Sequence, residues 1–162
     1  MHKPRVYVET SIFSYLAARP SRDAIAQARQ NLTVNWWEHR RQSYELIVSP
    51  AVEGECARGD RDAASRRLKF LVEASIFLLN DQTTELASAL IGPGRIPRKA
   101  ETDAIHIAAA VLANCDYLLT WNFRHLANAQ IRREIERILR SHGHPEILIC
   151  TPEELAQTPR VV

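Results

Sequence analysis

The sequence predicts an α/β fold of three layers, in which a central parallel sheet of about five strands carries helices on both faces. The segments that look like strands are short, apolar and not alternating, as is typical of strands buried on both faces of a parallel sheet. Segments with helical spacing of apolar residues separate them, so each strand can be followed by a helical crossover. No repeat, low-complexity tract or linker divides the chain, and we expect a single domain over residues 1–162.

The first half of the chain contains the first three predicted strands. Pro50 suits the first turn of a helix with Ser49 as its cap, and Gly59 is a good terminator for that helix. The predicted apolar face of the long helix holds Ile25, Ala28, Leu32, Trp36 and Trp37, and that of the helix after Gly59 holds Leu68, Leu71 and Val72. In order, we predict a strand over 6–8, helices over 10–18 and 22–44, a strand over 45–48, helices over 50–59 and 62–74, and a strand over 75–79.

The second half of the chain continues the alternation of helices and strands. A helix over 83–91 ends at a Gly-Pro-Gly turn, and the helix over 101–114 is so apolar that we expect it to be buried on most sides. A fourth strand over 117–120, an amphipathic helix over 129–142, a fifth strand over 147–149 and a short helix starting at Pro152 complete the prediction.

Composition narrows the class of protein. Hydrophobic residues make up 46% and charged residues 25% of the chain, as in globular domains, and the net charge of +2 neither requires nor excludes nucleic acid. Cys56, Cys115 and Cys150 lack paired spacing, so we expect no disulfide framework or zinc site and a reducing, cytoplasmic location. The longest apolar run, 107–113, is too short to span a bilayer, and the first residues lack a signal-peptide core.

Polar side chains gather where the predicted strands end. Glu9 follows the first strand, Glu55 lies in the helix after the second, and Asp103 begins the apolar helix that leads into the fourth. Thr120 and Asn122 stand at the end of the fourth strand. Because ligands of open parallel sheets bind beyond the carboxyl ends of the strands, these side chains are candidates for one site. A carboxylate that opens so apolar a helix is costly to bury unless it is paired or binds a metal.

Each of these acids also has an ordinary structural explanation. Glu9 could be an exposed strand end, Glu55 a solvent-facing helix residue, and Asp103 a partner of the helix dipole. Glu53 competes with Glu55, because residues two apart on a helix point in different directions. His106 lies one turn after Asp103 and is either a partner of the site or, more commonly for such a residue, a hydrogen-bonded core histidine.

Four motifs in order resemble those of the PIN-domain family, and particularly its VapC-like members. Each motif is weak alone, but four at matching places in the alternation are specific, and they cover nearly the whole chain. The second motif has a Ser followed six residues later by Glu, which selects Glu55 over Glu53. The motifs are Glu-Thr-Ser at 9–11 after an apolar strand, Ser49 to Gly59, Asp-Ala-Ile-His-Ile-Ala at 103–108, and Thr-Trp-Asn at 120–122.

The resemblance implies a three-layer PIN-like fold and a Mg²⁺- or Mn²⁺-dependent endoribonuclease, the toxin of a toxin–antitoxin pair. It further implies an RNA substrate, a homodimer and a small antitoxin protein that blocks the site. Glu9, Glu55 and Asp103 would be the metal ligands, directly or through water. Thr10, Ser11 and Thr120 would position waters or ligands, and Asn122 would orient a water or a second metal.

Two positions depart from the family pattern and leave a second function open. Glu9 stands where the family usually has Asp, and Asn122 stands where many members have a fourth Asp. The alternative is therefore a PIN scaffold that binds RNA or a protein partner without turnover. A Rossmann enzyme and a Ser hydrolase are disfavoured, because the chain has neither Gly-x-Gly-x-x-Gly nor Gly-x-Ser-x-Gly.

Residues near the motifs are candidates for RNA contact. Trp121 could stack a base, although a packing role is commoner for such a residue. The basic residues that could follow the RNA backbone are Arg58, Arg61, Arg66, Arg67, Arg95, Arg98 and Lys99.

Clustered carboxylates should repel one another, so we expect a raised pKa in at least one of them in the metal-free protein.

Overall fold

The computed structural model describes residues 2–156, which form an all-parallel sheet of five strands surrounded by helices. This confirms the predicted three-layer α/β fold. Short 3₁₀ turns at Arg41–Ser43 and Arg98–Ala100 precede β2 and α6. The elements are β1 (Arg5–Val8), α1 (Thr10–Ala17), α2 (Ala24–His39), β2 (Glu45–Val48), α3 (Pro50–Cys56), α4 (Arg61–Leu71), β3 (Ser75–Ile76), α5 (Asp81–Ala89), α6 (Glu101–Leu112), β4 (Tyr117–Leu119), α7 (Ala129–Ser141), β5 (Leu148–Cys150) and α8 (Pro152–Ala156).

The strand order β3-β2-β1-β4-β5 places β1 at the centre of the sheet. The chain moves outwards from β1 to β3 and then crosses back to add β4 and β5 on the other side. Because crossovers between parallel strands are right-handed, α1 to α4 cover one face and α5 to α7 cover the other. The change of direction leaves a crevice between the carboxyl ends of β1 and β4, where open sheets bind ligands.

Burial on both faces explains why the strands are apolar without alternation. Val6, Tyr7 and Val8 of β1 are fully buried, and Tyr7 lies in register with Ile47 of β2 and Leu118 of β4. The predicted burial of the apolar helix is also observed, since seven of the twelve residues of α6 are buried. Its alanines let the helix pack closely, and α5 lies against it.

The predicted strand over 75–79 is wrong in length. The strand contains only Ser75 and Ile76, both exposed, and a last backbone bond joins Phe77 N to Val48 O at 2.8 Å. The physical reason is that β3 is an edge strand whose single neighbour, β2, ends at Val48 before the proline that starts α3. Beyond Phe77 the segment finds no ladder partner among residues 2–156.

The apolar face predicted for the long helix is correct only at its carboxyl end. The helix is shorter than predicted, and Ile25 is 64% exposed whereas Trp36 and Trp37 are buried. Its other buried residues, Gln30 and Thr33, are polar and are satisfied by hydrogen bonds outside the helix ladder. Val72 is likewise 85% exposed, because α4 ends one residue before it.

Two further features agree with the sequence. Cys56, Cys115 and Cys150 are free and buried, and burial raises the pKa of each thiol to about 12. Gly59 has a φ of +82°, the left-handed conformation that favours glycine, three residues after α3 ends. Within the described residues, no helix combines the length and apolar character needed to cross a membrane.

Candidate functional site

Three elements bring carboxylates to the carboxyl edge of the sheet. Glu9 follows β1 and is the N-cap of α1, and Glu55 lies in α3 directly after β2. Asp103 lies in the first turn of α6. Because the crossover helices run antiparallel to the strands, α6 begins at the edge where β1 and β2 end. The alternation of elements is therefore what places these acids near one another.

Glu9 is buried, with 5% of its surface exposed, and the described residues donate hydrogen bonds to only one of its oxygens. Oε2 accepts from Ser11 N at 3.1 Å, from Ser11 Oγ at 2.5 Å and from Thr120 Oγ1 at 2.7 Å. These donors compensate for the loss of water around a buried carboxylate and fix its orientation. Within residues 2–156 no donor contacts Oε1, which is therefore the oxygen that remains to bind a ligand.

Glu55 is half-buried and is held on one oxygen in the same way. Oε1 accepts from Thr10 Oγ1 at 2.8 Å and lies 2.5 Å from His106 Nε2. Burial raises the pKa of Glu55, but the hydrogen bond and charge of His106, together with Thr10 and Arg58, outweigh it and leave the pKa below its usual value. This direction is opposite to the one that repulsion between carboxylates predicts, because a cationic partner faces Glu55.

A buried polar chain supports Glu55 from below. His106 is fully buried in α6, and its Nδ1 lies 2.8 Å from the hydroxyl of Tyr7, which in turn lies 2.7 Å from Ser49 Oγ. Burial lowers the pKa of His106, but the hydrogen bond to Glu55 and the nearby negative charges raise it above its usual value overall. Burial raises the pKa of Tyr7, so its hydroxyl stays protonated.

The hydroxyl of Ser49 does not cap α3 as the sequence predicted. Ser49 is the N-cap of α3 by its backbone, but its side chain makes no cap hydrogen bond. Its Oγ instead lies against Tyr7 inside the core.

Asp103 and Asn122 lie beside this cluster and meet at His125. Asp103 Oδ2 is 2.8 Å from His125 Nδ1, and Asn122 Oδ1 accepts from the backbone N–H groups of Arg124 and His125, both at 3.1 Å. Thr120 Oγ1 accepts from Asn122 N at 2.9 Å, which connects the two groups. The side-chain oxygen of Asn122 thus caps the turn after β4.

The predicted site residues divide into two sets. Hydrogen bonds and the close approach of the Glu9 and Glu55 carboxylates join five of them in one cluster, whereas the other two meet at His125. Glu53, the rival of Glu55, is exposed. The joined residues are Glu9, Thr10, Ser11, Glu55 and Thr120, and the neighbouring ones are Asp103 and Asn122.

Sequence reasoning did not assign Tyr7 and His125 to the site and only weighed His106. His106 had a weak signal, its position one turn after Asp103. Tyr7 looks like any aromatic residue of a buried strand, and His125 reaches Asp103 across 22 positions of the chain. Neither contact leaves a local pattern.

The donor atoms fit a hard divalent cation. Ligand atoms of Glu9, Glu55 and His106 all lie within 4.8 Å of one another, close enough to surround a single ion. Both nitrogens of His106 are already engaged, so we regard the carboxylate oxygens as the donors and His106 as the group that orients Glu55. Oxygen donors are those that Mg²⁺ and Mn²⁺ prefer.

Several arginines near the motifs bind backbone carbonyls within the protein. Arg66 Nε donates to Ala17 O, Arg67 Nε to Cys56 O and Arg95 NH1 to Ala89 O, at 3.0, 3.0 and 3.1 Å. Trp121 is 7% exposed and donates from Nε1 to Thr33 Oγ1 at 2.7 Å, which supports the packing role over base stacking. Of the seven basic residues predicted to follow the RNA backbone, the exposed ones are Arg58, Arg61, Arg98 and Lys99.

Comparison with known proteins identifies the fold. The chain matches no family model and no curated protein sequence. It is similar to the crystal structure of VapBC2 from Rickettsia felis bound to a DNA fragment from its promoter, with a TM-score of 0.55 and 14% identity over 90% of this chain and 97% of that one. It is also similar to Mycobacterium tuberculosis VapC20, a Sarcin-Ricin loop cleaving toxin, with a TM-score of 0.56 and 16% identity over 74% of this chain and 91% of that one. The chain therefore shares its fold with these two VapC structures, in agreement with the fold that the four motifs predicted.

Proposed function

We propose that this chain is a divalent-metal-dependent endoribonuclease and the toxin of a toxin–antitoxin pair. One observation carries the proposal: Glu9 and Glu55 converge at the carboxyl edge of a PIN-like sheet, each with one oxygen held by protein donors. The similarity to VapC20, a Sarcin-Ricin loop cleaving toxin, supports the class of reaction. The motif order Glu9, Glu55, Asp103 supports the same conclusion.

The proposed site residues divide the work between binding and orientation. Glu9, Glu55 and Asp103 would bind Mg²⁺ or Mn²⁺ directly or through water. Such a cation supplies Lewis acidity, which favours the ionisation of water and polarises a phosphoryl oxygen. Ser11 and Thr120 hold the Glu9 carboxylate.

Three further residues complete the proposed site. Thr10 and His106 hold Glu55, so that its carboxylate does not have to reorganise when it binds. Asn122 would orient a water by donating from its amide nitrogen, because its oxygen already accepts two backbone N–H groups of the turn.

The proposed partners follow from the neighbours. The motif resemblance implies a small antitoxin protein, which we propose for this chain, and the similarity to VapBC2 bound to a promoter fragment supports it. We further propose an RNA substrate, a homodimer, a cytoplasmic location and a single domain spanning residues 1–162, whose first and last residues, 1 and 157–162, lie outside the described part.

A nuclease assay with matched acidic variants tests the function. Purified protein is incubated with ribosomal RNA and synthetic stem-loops in Mg²⁺ or Mn²⁺, with and without a chelator. Glu55→Gln should lower cleavage by about a hundredfold or more, as for removal of one strong electrostatic contributor. Glu53→Gln is the control, because it removes the same charge from an exposed position two residues away on α3. Cleavage that survives the chelator, or equal activity of both variants, would contradict the proposal.

A binding scaffold without turnover is the second candidate. The neutral Asn122, whose carbonyl oxygen is engaged by two backbone N–H groups, favours it. Wild-type protein that binds RNA but cleaves none in either metal would support this candidate. Restored cleavage in Asn122→Asp would then identify the missing carboxylate as the cause.

A further inference from the structure

An arginine and two aromatic rings form a stack at the edge of the candidate site. The guanidinium carbon of Arg29 in α2 lies 4.9 Å from the ring centroid of Phe123 and 5.7 Å from that of Trp121. The two rings are 6.0 Å apart at an interplanar angle of 57°. We call these three residues the Arg29 stack.

Hydrogen bonds connect the Arg29 stack rigidly to the acidic cluster. Trp121 N donates to Ser11 Oγ at 2.8 Å, and Ser11 is the residue that holds Glu9. Trp121 Nε1 donates to Thr33 Oγ1, whose hydroxyl donates at 2.6 Å to the backbone carbonyl of Arg29. The stack is therefore fixed relative to Glu9 through two short chains of contacts.

The Arg29 stack has binding capacity that the rest of the protein does not use. Across residues 2–156, the Arg29 guanidinium makes no hydrogen bond and no ion pair, so its N–H donors are free. Phe123 is 44% exposed, whereas Trp121 below it is buried. Arg66, Arg67 and Arg95 differ, because each of them donates to a backbone carbonyl of the protein.

We propose that the Arg29 stack is a subsite for single-stranded RNA next to the cleavage position. Arg29 contacts a backbone phosphate with its free N–H groups, and the exposed surface of Phe123 stacks a base. Because two rings already hold the Arg29 guanidinium in place, it has little conformational freedom left to lose when it binds a phosphate. Its planar N–H donors also match the geometry of phosphate oxygens. Base stacking on aromatic rings tolerates any sequence, so the subsite positions the strand without selecting it. The inference rests on the proposed ribonuclease function and adds the residues that hold its substrate.

Direct binding measurements test the subsite apart from catalysis. The affinity for a fluorescent single-stranded RNA is measured by anisotropy in a chelator over a series of salt concentrations, so that no cleavage interferes. Arg29→Gln should weaken binding by about tenfold and reduce the salt slope by about one, the signature of one lost phosphate contact. Phe123→Ala should weaken RNA binding by about fivefold or more with little change in the salt slope. Phe123→Tyr, which keeps an aromatic ring, should bind RNA like wild type.

Arg41→Gln is the matched control. Arg41 also stacks on a tryptophan, 5.3 Å from the ring of Trp37, but it is paired with Glu73 and precedes β2 at the opposite edge of the sheet. The variant removes the same charge and the same kind of contact, and RNA affinity should stay within about twofold of wild type, as is usual for a surface change away from the binding surface.

The possible results separate the subsite from the proposed function. Arg29→Gln with a lower melting temperature but unchanged RNA affinity would overturn the subsite and leave Arg29 as a packing residue. Equal losses in Arg29→Gln and Arg41→Gln would overturn it too, since they would indicate general charge attraction. Wild type that binds RNA through Arg29 but never cleaves would support the subsite and contradict the nuclease. Wild type that binds no RNA would overturn both.

Discussion

At the scale of single residues, neighbouring side chains hold each carboxylate of the proposed site. Glu9 is held by Ser11 and Thr120, and Glu55 is held by Thr10 and His106. In each carboxylate one oxygen accepts the donors, and within residues 2–156 no hydrogen bond engages the other oxygen. The arrangement keeps the carboxylates oriented before a ligand arrives, and mutation of such outer partners of metal ligands typically lowers metal affinity by about 10–100-fold.

The first prediction for a single residue concerns the charge of Asp103. Asp103→Asn should preserve the fold and lower metal-dependent RNA cleavage by about a hundredfold or more, because the amide nearly matches the carboxylate in shape but cannot neutralise a cation. Asp62→Asn, an exposed acid in the first turn of α4, is the control. Cleavage rates and melting curves are compared. An Asp103→Asn protein that cleaves as fast as wild type would remove Asp103 from the proposed site.

The second prediction for a single residue concerns the hydroxyl of Tyr7. Tyr7→Phe removes the group between Ser49 and His106 and leaves both buried polar side chains short of a partner. The free energy of unfolding should fall by about 1–3 kcal/mol. Mn²⁺ affinity, measured by calorimetry, should fall by about tenfold, the lower end of what outer partners of ligands contribute.

Tyr44→Phe controls for the loss of a hydroxyl elsewhere. Tyr44 packs against Trp36 and Tyr117 just before β2, at the edge opposite the site. If Tyr7→Phe lost stability but bound Mn²⁺ as tightly as wild type, Tyr7 would be a core residue and not a positioning residue.

Among the elements, the turn after β4 connects the two halves of the site. Thr120 contacts Glu9, Trp121 contacts Ser11 and Thr33, and Asn122 caps the turn that presents His125 to Asp103. The six-residue stretch 120–125 thus orients groups on both sides of the β1–β4 crevice. It is held by side-chain caps because it lies beyond the sheet ladder.

Asn122 gives the prediction for this element. Asn122→Ala should lower the free energy of unfolding by about 1 kcal/mol, as is typical for a lost cap, because two backbone N–H groups lose their acceptor. Asn122→Asp keeps an acceptor and adds a carboxylate, so it should unfold like wild type and bind Mn²⁺ more tightly. Urea denaturation and calorimetry measure the two effects. Equal stability of all three proteins would mean that the cap contributes nothing.

For the whole molecule, the ion pair in the site makes stability depend on pH. The pKa of Glu55 is lowered from 4.5, so its contribution is present above that value and is lost as pH falls through the folded pKa. The pKa of His106 is raised from 6.5, so its contribution is present below that value and is lost as pH rises through the folded pKa. Both contributions are complete between pH 4.5 and 6.5.

The metal-free protein should therefore melt at the highest temperature in that mildly acidic window. Melting temperatures are measured in a chelator from pH 4 to 9, and Glu55→Gln should flatten the profile whereas Glu53→Gln should not. A wild-type melting temperature that rises steadily above pH 6.5 would contradict the direction given for His106.

A divalent cation should stabilise the molecule near neutral pH. At a hundred times its dissociation constant an ion adds about 2.7 kcal/mol, which for a domain of this size raises the melting temperature by about 5–10 °C. Scanning calorimetry with Mg²⁺ or Mn²⁺ at constant ionic strength measures the shift, and K⁺ is the control ion. No shift with either divalent ion would count against any metal site here.

The sequence by itself determined the fold class and the edge at which the acids gather. Short apolar strands alternate with amphipathic segments because a doubly covered parallel sheet has to bury both faces, and this pattern is local and readable. Since helices and strands run in opposite directions, Glu9, Glu55 and Asp103 had to arrive at the same edge. The lengths of exposed elements were less certain, as β3 shows, because an edge strand ends where its neighbour ends.

Only the tertiary structure decided which groups contact which. Tyr7 and His106 are 99 positions apart, and Asp103 and His125 are 22 apart, so no spacing rule predicts either hydrogen bond. The exposure of Phe123 beside the buried Trp121 depended likewise on how α2 packs against the turn after β4. A residue's type limits the bonds that it can make, but its partner is set by how distant segments pack, and that packing is decided by the burial of the whole core.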